Sequence, residues 1–575
     1  MSEDAINGLN EKTRGEIEEL WEKRDLNELD KRLSKRIQFG TAGLRARMEA
    51  GFSRMNDVTV LQASQGLAKY VAKNVKNGCD RGVVLGHDHR FNSARFAELT
   101  ALAFVQLGFK VYQFGLIHTP LVPFAVDQLK AACGVMVTAS HNPADDNGYK
   151  VYWENGCQII PPHDSGIAAS IDENLQPWSW DVKLLESDNV DNATKVTVQE
   201  AYYHALKDKL SFENLQKDVD LRLVYTPMHG VGLPSFIRAV EVLGLGRDKV
   251  VVVEEQSTPD PTFPTVEFPN PEEKGALDLA MKTADDHGIE LILANDPDAD
   301  RFVAAVKHEG KWTQLTGNQI GSLFGEFIVS RYQGDMRKLA LLNSTVSSEF
   351  NKHLATMMGF KWEDTLTGFK WIGNRAIDLE AGGYVVPFAY EEALGYMFPV
   401  VHDKDGISAA YVFVQMAVNW KLRGTNGYKR MQELYSKVGY FAEVNSYYIS
   451  NDPSITNSVF ALIRSLDHPY PKTIGPFRVE RWRDLTVGYD SSTPDNYPLL
   501  PVSSSVQMIT VRLSSENPDE GVVFTARGSG TEPKLKVYIE AHASCESRAK
   551  TLSQSVWNEL RTHWFKPSES GLKER

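Results

Sequence analysis

Cysteine is scarce in this chain. Cys79, Cys133, Cys157 and Cys545 are the only four among 575 residues, with no CxxC pair and no histidine at zinc-ligand spacing. That excludes a disulfide scaffold and a structural zinc site, and it reads as the scattered reduced thiols of a cytosolic protein. Long apolar runs are missing too: none reaches the roughly 18 residues a membrane span needs. Met1 to Leu20 is polar and acidic where a secretory leader would be basic and then apolar, so we expect a cytoplasmic protein without a membrane partner. Basic residues fall short of acidic ones, 62 against 75, for a formal charge of −13. A protein coated in basic residues for nucleic acid is thereby excluded, and an anionic partner would have to find a local basic cleft.

Several familiar signatures are also absent. The Gly310-Lys311 pair continues with Trp312 and lacks the first Walker glycine, and Gly230-Val231-Gly232 lacks the third glycine of a dinucleotide fingerprint. No GxSxG surrounds Ser140, which excludes a hydrolase elbow.

What the sequence does contain is enough apolar material, 42%, to give several domains a core. Three stretches alternate short β-branched runs with amphipathic segments, the pattern of βαβ units feeding mostly parallel sheets. Strands are expected at 82–86, 110–114, 132–138, 221–226, 249–254, 290–295, 338–343 and 384–389, with one more ending near Leu366, and with helices opening near Gly232 and Pro271. After a long helix from about Ile407 to Leu422, strands at 477–481, 507–513, 521–526 and 535–541 follow one another without helical crossovers. A helix over about 546–565 closes the chain, and the residues after Trp564 read as a solvated tail. The expected fold is α/β: three consecutive mixed or parallel-sheet α/β domains plus a C-terminal α+β domain around a central cleft. The boundaries fall near 1–211, 212–320, 321–443 and 444–575.

Ligands of open α/β sheets sit beyond the carboxyl ends of strands, and four such places are unusually polar. Thr138-Ala139-Ser140-His141-Asn142-Pro143 follows a strand, and Ser140 there is either a hydroxyl nucleophile or a helix cap. Asn295-Asp296-Pro297-Asp298-Ala299-Asp300-Arg301 follows the buried run Leu291-Ile292-Leu293-Ala294. Three carboxylates at alternate positions repel one another, and a hard divalent cation is the usual remedy. An EF-hand is excluded, because Arg301 and Lys307 stand where its glycine and glutamate belong. Mg²⁺ suits the site better than Ca²⁺, since three side-chain ligands leave room for a phosphate oxygen and water. Tyr390-Glu391-Glu392-Ala393-Leu394-Gly395-Tyr396 offers paired carboxylates for sugar hydroxyls, or simply exposed charges. Arg527-Gly528-Ser529-Gly530-Thr531-Glu532-Pro533-Lys534 combines small residues, hydroxyls and two cations, as a phosphate cradle does and as a solvated turn can.

A nucleophilic hydroxyl, a cation loop and a separate phosphate cradle together describe phosphoryl transfer in which one phosphate is held while another reacts. In order and wording the four loops resemble those of the α-D-phosphohexomutase superfamily, and Phe39-Gly40-Thr41-Ala42-Gly43-Leu44-Arg45 and Thr367-Gly368-Phe369-Lys370 extend the resemblance over almost the whole chain. The resemblance implies a phosphoserine at Ser140 and one Mg²⁺ per chain, held by Asp296, Asp298, Asp300 and a phosphoserine oxygen. It also implies a sugar-phosphate site lined by Thr41, Arg45, His141, Lys150, Asp300, Arg301, Thr367, Glu391, Lys404, Arg527, Ser529, Gly530 and Thr531, with Arg45 and Lys150 assisting the transfer. Some relatives carry histidine where this chain has Tyr396. Ala393 replaces the serine of ordinary phosphoglucomutases, and the sugar loop is similar to that of the eukaryotic phosphopentomutase-like branch. The implied activity is a mutase on ribose and also glucose phosphates, through a sugar bisphosphate that serves as intermediate and activator. The enzyme is expected to be a monomer or weak oligomer. Alternatives are a glucose 1,6-bisphosphate synthase and a non-catalytic interaction protein on the same fold.

Overall fold

The computed structural model describes residues 11–41, 43–212, 219–450, 452–529 and 534–574. It divides into two compact units: Met1–Leu342 with Gly368–Tyr428, and Asn343–Thr367 with Lys429–Arg575. Among the described residues no helix is long and apolar enough to cross a membrane.

The first unit opens with a sheet built from β1 (Leu44–Arg47), β2 (Val83–His87), β3 (Val111–Leu116), β4 (Cys133–Val137), β5 (Asp146–Trp153) and β6 (Val190–Asp191), in the order β1-β5-β4-β2-β3-β6. Parallel pairing joins β2 to β3 and β4, while β4–β5 and β5–β1 are antiparallel. A second sheet takes β7 (Leu223–Thr226), β8 (Val250–Val252), β9 (Leu291–Asn295), β10 (Phe302–His308) and β11 (Lys311–Gln314), in the order β11-β10-β9-β7-β8. Its β7–β8 and β7–β9 pairs are parallel, and β9–β10–β11 is an antiparallel meander. β12 (Leu339–Ser344), β13 (Lys361–Thr365), β14 (Val385–Glu391) and β15 (Gly395–Met397) make a third sheet ordered β13-β12-β14-β15, and the unit boundary falls inside β12. Each sheet thus has an antiparallel edge where mostly parallel strands are expected. The connections that create these edges, after β4, β9 and β14, are too short for a helical crossover, so the chain can only turn back.

In the second unit β16 (Tyr440–Ile449), β17 (Thr473–Ile474), β18 (Phe477–Asp484), β19 (Tyr489–Asp490), β20 (Met508–Ser514), β21 (Gly521–Gly528), β22 (Lys534–Ala543) and β23 (Lys573–Glu574) form one sheet with antiparallel pairing. Strand alternation gives it two different faces. Ile509, Val511, Leu513, Val522, Phe524 and Ala526 enter a core with the helices Pro453–Ser465 and Glu546–Glu559. Thr510, Arg512, Thr525 and Arg527 alternate with them on the polar face.

Two expectations need correction. No helix opens near Pro271: the proline-rich stretch there is irregular, and the helix begins at Asp278. The chain end is not a free tail. Glu546–Glu559 widens into a π-turn at Leu560–Phe565, Leu572 is buried, and Tyr448 and Ile449 of β16 pair with Glu574 and Lys573.

Candidate active site

Each of the four polar loops connects an antiparallel strand pair. The serine loop closes β4 onto β5, the aspartate loop β9 onto β10, and the glutamate loop β14 onto β15. β21 and β22 flank the fourth, with Gly528 opposite Leu535. Tight reversal forces one non-glycine residue of each of the first three into the left-handed region: Ser140 (φ 54°), Ala299 (φ 55°) and Leu394 (φ 62°). Each costs about 1–2 kcal/mol for an L-residue, so the surrounding structure must hold it there.

What holds Ser140 is visible. Its N–H donates to Thr138 Oγ1 at 2.9 Å. Its carbonyl accepts from Arg90 Nη2 at 2.7 Å, and the same guanidinium donates to the carbonyls of Asn142 (2.5 Å), Pro143 (2.7 Å) and Asp146 (3.2 Å). Arg90 is buried, pairs with buried Asp88 at 3.2 Å and lies over the Phe263 ring. One side chain therefore gathers the whole serine loop. The Ser140 hydroxyl donates to Asp296 Oδ2 at 2.8 Å and lies 3.2 Å from His141 Nδ1.

Asp296, Asp298 and Asp300 are fully buried and offer oxygens within 4.8 Å of one another. Lys150 Nζ donates to Asp298 at 2.7 Å and to Asp300 at 2.6 Å, and Lys404 Nζ lies 3.1 Å from Asp300. Thr119 Oγ1 donates to Asp298 Oδ2 at 2.5 Å. Arg301 donates its N–H to Asp296 Oδ1 at 2.9 Å and sets its guanidinium 4.0 Å from Oδ2. Asn295 Nδ2 ties the loop across its neck to the Arg301 carbonyl at 2.6 Å.

The charges sort themselves by environment. Burial, then the charges of Asp298 and Asp300, hold Asp296 well above the usual carboxylate range against the pull of Arg301. Burial and Asp300 also push Asp298 up, but the Lys150 ammonium and the Thr119 hydrogen bond together leave it lowered. For Asp300 burial is outweighed by Lys150, Lys404 and Arg301, which lower it. Burial opposes the Lys150 charge, yet the two carboxylates more than restore it, so the amine is held protonated. His141 is pushed well below its ordinary value by burial and by the nearby Arg301 and Arg45 charges, which leaves a neutral imidazole beside the serine.

The remaining sequence-predicted residues fall in two places. In the first unit, Arg45 Nη1 donates to Asn142 Oδ1 at 3.1 Å, Lys370 donates to Thr41, and Glu391 Oε1 accepts from the Gly368 N–H at 2.9 Å. In the second, Arg527 Nη1 donates to Thr367 Oγ1 at 3.0 Å, and the Ser529 N–H donates to the Lys534 carbonyl at 2.8 Å. Gly530 and Thr531 lie outside the described residues. Tyr396 is buried, with its hydroxyl on the Gly317 carbonyl at 3.3 Å and its ring against Phe324 and Phe302. Reading the loops alone missed Arg90, Asp88 and Thr119, although these also lie just past strands β2 and β3.

Three family models match in chain order: phosphoglucomutase/phosphomannomutase alpha/beta/alpha domain I over residues 36–177, domain II over 200–310 and domain III over 316–438. The chain belongs to the phosphoglucomutase/phosphomannomutase family. It is a phosphomutase, an intramolecular phosphotransferase. Among family relatives it is 50% identical to the phosphoribomutase of Saccharomyces cerevisiae, over 98% of this chain and 95% of that one. It is 39% identical to human glucose 1,6-bisphosphate synthase, over 98% of this chain and 93% of the other. A solved phosphoglucomutase/phosphomannomutase family protein from Burkholderia thailandensis shares the fold at a TM-score of 0.65 and 17% identity, covering 92% of this chain and 97% of its own.

In this phosphomutase the aspartate cluster fits a metal. Its donors are hard carboxylate oxygens, which suit a small divalent cation. Among the described residues Asp298 Oδ1 and Asp300 Oδ1 are buried without a hydrogen-bond partner, and the ammonium of Lys150 bridges the other oxygens of the same two carboxylates.

Proposed function

We propose that the chain moves a phosphoryl group between C1 and the terminal hydroxyl of a sugar, ribose 1-phosphate to ribose 5-phosphate and also glucose 1-phosphate to glucose 6-phosphate. The observation that carries this reading is the Ser140 hydroxyl set 2.8 Å from Asp296, in a buried cluster of three carboxylates with Lys150 and Arg301 alongside. Ser140 carries the phosphoryl group. It passes to the substrate hydroxyl, the bisphosphate turns over, and the other phosphoryl returns to Ser140, breaking one P–O bond and forming one at each transfer.

One Mg²⁺ bound by Asp296, Asp298, Asp300 and a phosphoserine oxygen would supply charge neutralisation at the reacting oxygens. The protein's own residues do the rest. Arg90 fixes the loop that aims Ser140. Lys150, held protonated, stabilises negative charge rather than accepting a proton, and Arg45 and Arg301 add to that field. His141, kept neutral, is placed to contact the serine oxygen. Glu391 and Lys404 engage the sugar, with Thr41 beside them. Arg527, Thr367, Ser529, Gly530 and Thr531 hold the non-reacting phosphate, a role that the bidentate guanidinium suits.

Pentose preference is supported by the 50% identity to a protein named phosphoribomutase and by Ala393, which removes a hydroxyl from the sugar loop. A second reading, synthesis of glucose 1,6-bisphosphate from an acyl phosphate donor, is favoured by the 39% identity to a synthase. We also read the chain as four segments, 1–211, 212–320, 321–443 and 444–575. We take it to be a cytoplasmic monomer or weak oligomer acting on free sugar phosphates, in keeping with its −13 charge and free thiols. Comparing kcat/KM for ribose 1-phosphate and glucose 1-phosphate, with and without added bisphosphate, tests the reading. Efficient pentose turnover without an acyl phosphate is expected; strict dependence on 1,3-bisphosphoglycerate would overturn it in favour of the synthase.

A further inference from the structure

The polar face of the C-terminal sheet carries an unexplained concentration of cations. Residues 343–367, in the same unit, cover part of it and leave a cavity open to solvent. Lys352, Arg481, Arg483 and Arg512 line it, together with the hydroxyls of Thr345 and Thr510.

These cations are only partly neutralised. Arg483 Nη2 pairs with Asp364 at 2.8 Å and also donates to Thr345. Arg512 and Lys352 share a single carboxylate, Glu349, the lysine at 3.2 Å. Arg481 pairs with Asp490 at 2.6 Å. Among the described residues, these four cations therefore pair with three carboxylates, Asp364, Glu349 and Asp490. Glu540, whose Oε2 accepts from the Glu349 N–H at 2.8 Å, adds no fourth, because burial, and next the Glu443 charge, push its carboxyl up to about 8.

Arg483 sets the chemistry of the site. Only 2% of the residue is exposed, and among the described residues its Nε–H meets no acceptor. A buried charged donor left unmade is costly, and native structures fill such positions with water or an ion. The acceptor that matches a guanidinium fork beside a second guanidinium and an ammonium is an oxyanion with several equivalent oxygens. The site is separate from the Arg527 loop. Arg527 stands opposite Met508 on β20, and Arg512 is four residues further along the same strand, roughly 13 Å at the usual strand rise.

We propose that this cavity is a second anion site, outside the transfer chemistry, which binds a phosphate-class oxyanion between Arg483, Arg512 and Lys352. Its source is either free inorganic phosphate or the phosphoryl group of a small metabolite. The site does not depend on which sugar the enzyme turns over.

Calorimetric titration of the full-length protein with inorganic phosphate, at constant ionic strength, tests it. Two sites per chain are expected in the wild type, with the second lost in Arg512→Gln while turnover at saturating sugar phosphate is unchanged. Should Arg512→Gln fail to fold, Lys352→Gln leaves the Arg512–Glu349 pair intact and is expected to weaken the second site about tenfold, the effect of losing one charged contact. Repeating the titration with ribose 5-phosphate separates the two sources. Binding of phosphate alone assigns a free oxyanion, and binding of both assigns a phosphoryl group, each supporting the site. A single phosphate per chain, with an affinity that neither substitution changes, would overturn it.

Discussion

Arg90→Met should cripple turnover without touching any group that meets the substrate. The guanidinium makes four hydrogen bonds to the main-chain carbonyls of Ser140, Asn142, Pro143 and Asp146, at 2.5 to 3.2 Å, and one ion pair to buried Asp88. Methionine fills much of the volume and supplies none of the donors. Breaking one partner out of a buried ion pair costs about 3–5 kcal/mol, because the other charge stays behind. Each buried carbonyl stripped of its donor adds roughly 1–3 kcal/mol, less than additively. Ser140 is already held in left-handed backbone, so with the bracket gone the loop relaxes and carries the hydroxyl away from Asp296. A displacement on the order of 1 Å lowers turnover about a hundredfold. The assay is kcat and KM for ribose 1-phosphate, read beside thermal melting. We expect kcat to fall by about two orders of magnitude with a smaller change in KM. Arg90→Lys, which keeps the charge but offers three donors from a single nitrogen, should fall between wild type and Arg90→Met. A melting curve and kcat both within twofold of wild type for Arg90→Met would refute the argument.

Other consequences follow from the same geometry. A Cβ at Gly406 would lie 2.2 Å from the Arg301 carbonyl and 2.4 Å from Asn295 Nδ2, so Gly406→Ala should destabilise by about 1–3 kcal/mol and lower activity; unchanged melting would refute that contact. Asp298→Asn should weaken metal binding and leave Lys150 with one carboxylate, and a chelator should abolish wild-type turnover until a divalent cation is restored. Retained activity in chelator would count against the metal reading. Glu540 binds its proton in the folded state up to about pH 8, whereas the unfolded carboxyl releases it near 4.5. Its contribution is therefore fully present below pH 4.5 and is lost as pH rises toward 8, at about 1.4 kcal/mol per pH unit. Glu540→Gln cannot lose that proton, so its stability advantage over wild type should widen across that window and then level off. A difference that stays constant from pH 5 to 9 would contradict it.

Much of the site was legible because the four loops keep their chemistry in contiguous residues: a serine beside a histidine, aspartates at alternate positions, a glutamate pair and a run of small residues. Parallel strands flanked by helices were legible too, since β2, β4 and β9 are continuous apolar runs. The antiparallel returns β5 and β10 were not. They follow turns too short to announce a new element. Arg90 was hidden for a different reason. Its partners are main-chain carbonyls fifty or more positions away, and carbonyls leave no signature in sequence. The ordered chain end escaped as well, because a two-residue strand such as β23 gains its stability from β16 and not from its own composition.

The central claim is that Ser140 carries the phosphoryl group between the two hydroxyls. Intact-mass and peptide analysis of the enzyme incubated with glucose 1,6-bisphosphate tests it most directly. We predict one phosphoryl group per chain, on Ser140, discharged by added sugar monophosphate and absent from Ser140→Ala, which should also lack mutase activity. A phosphoryl group on another residue, or mutase turnover that persists in Ser140→Ala, would contradict the account.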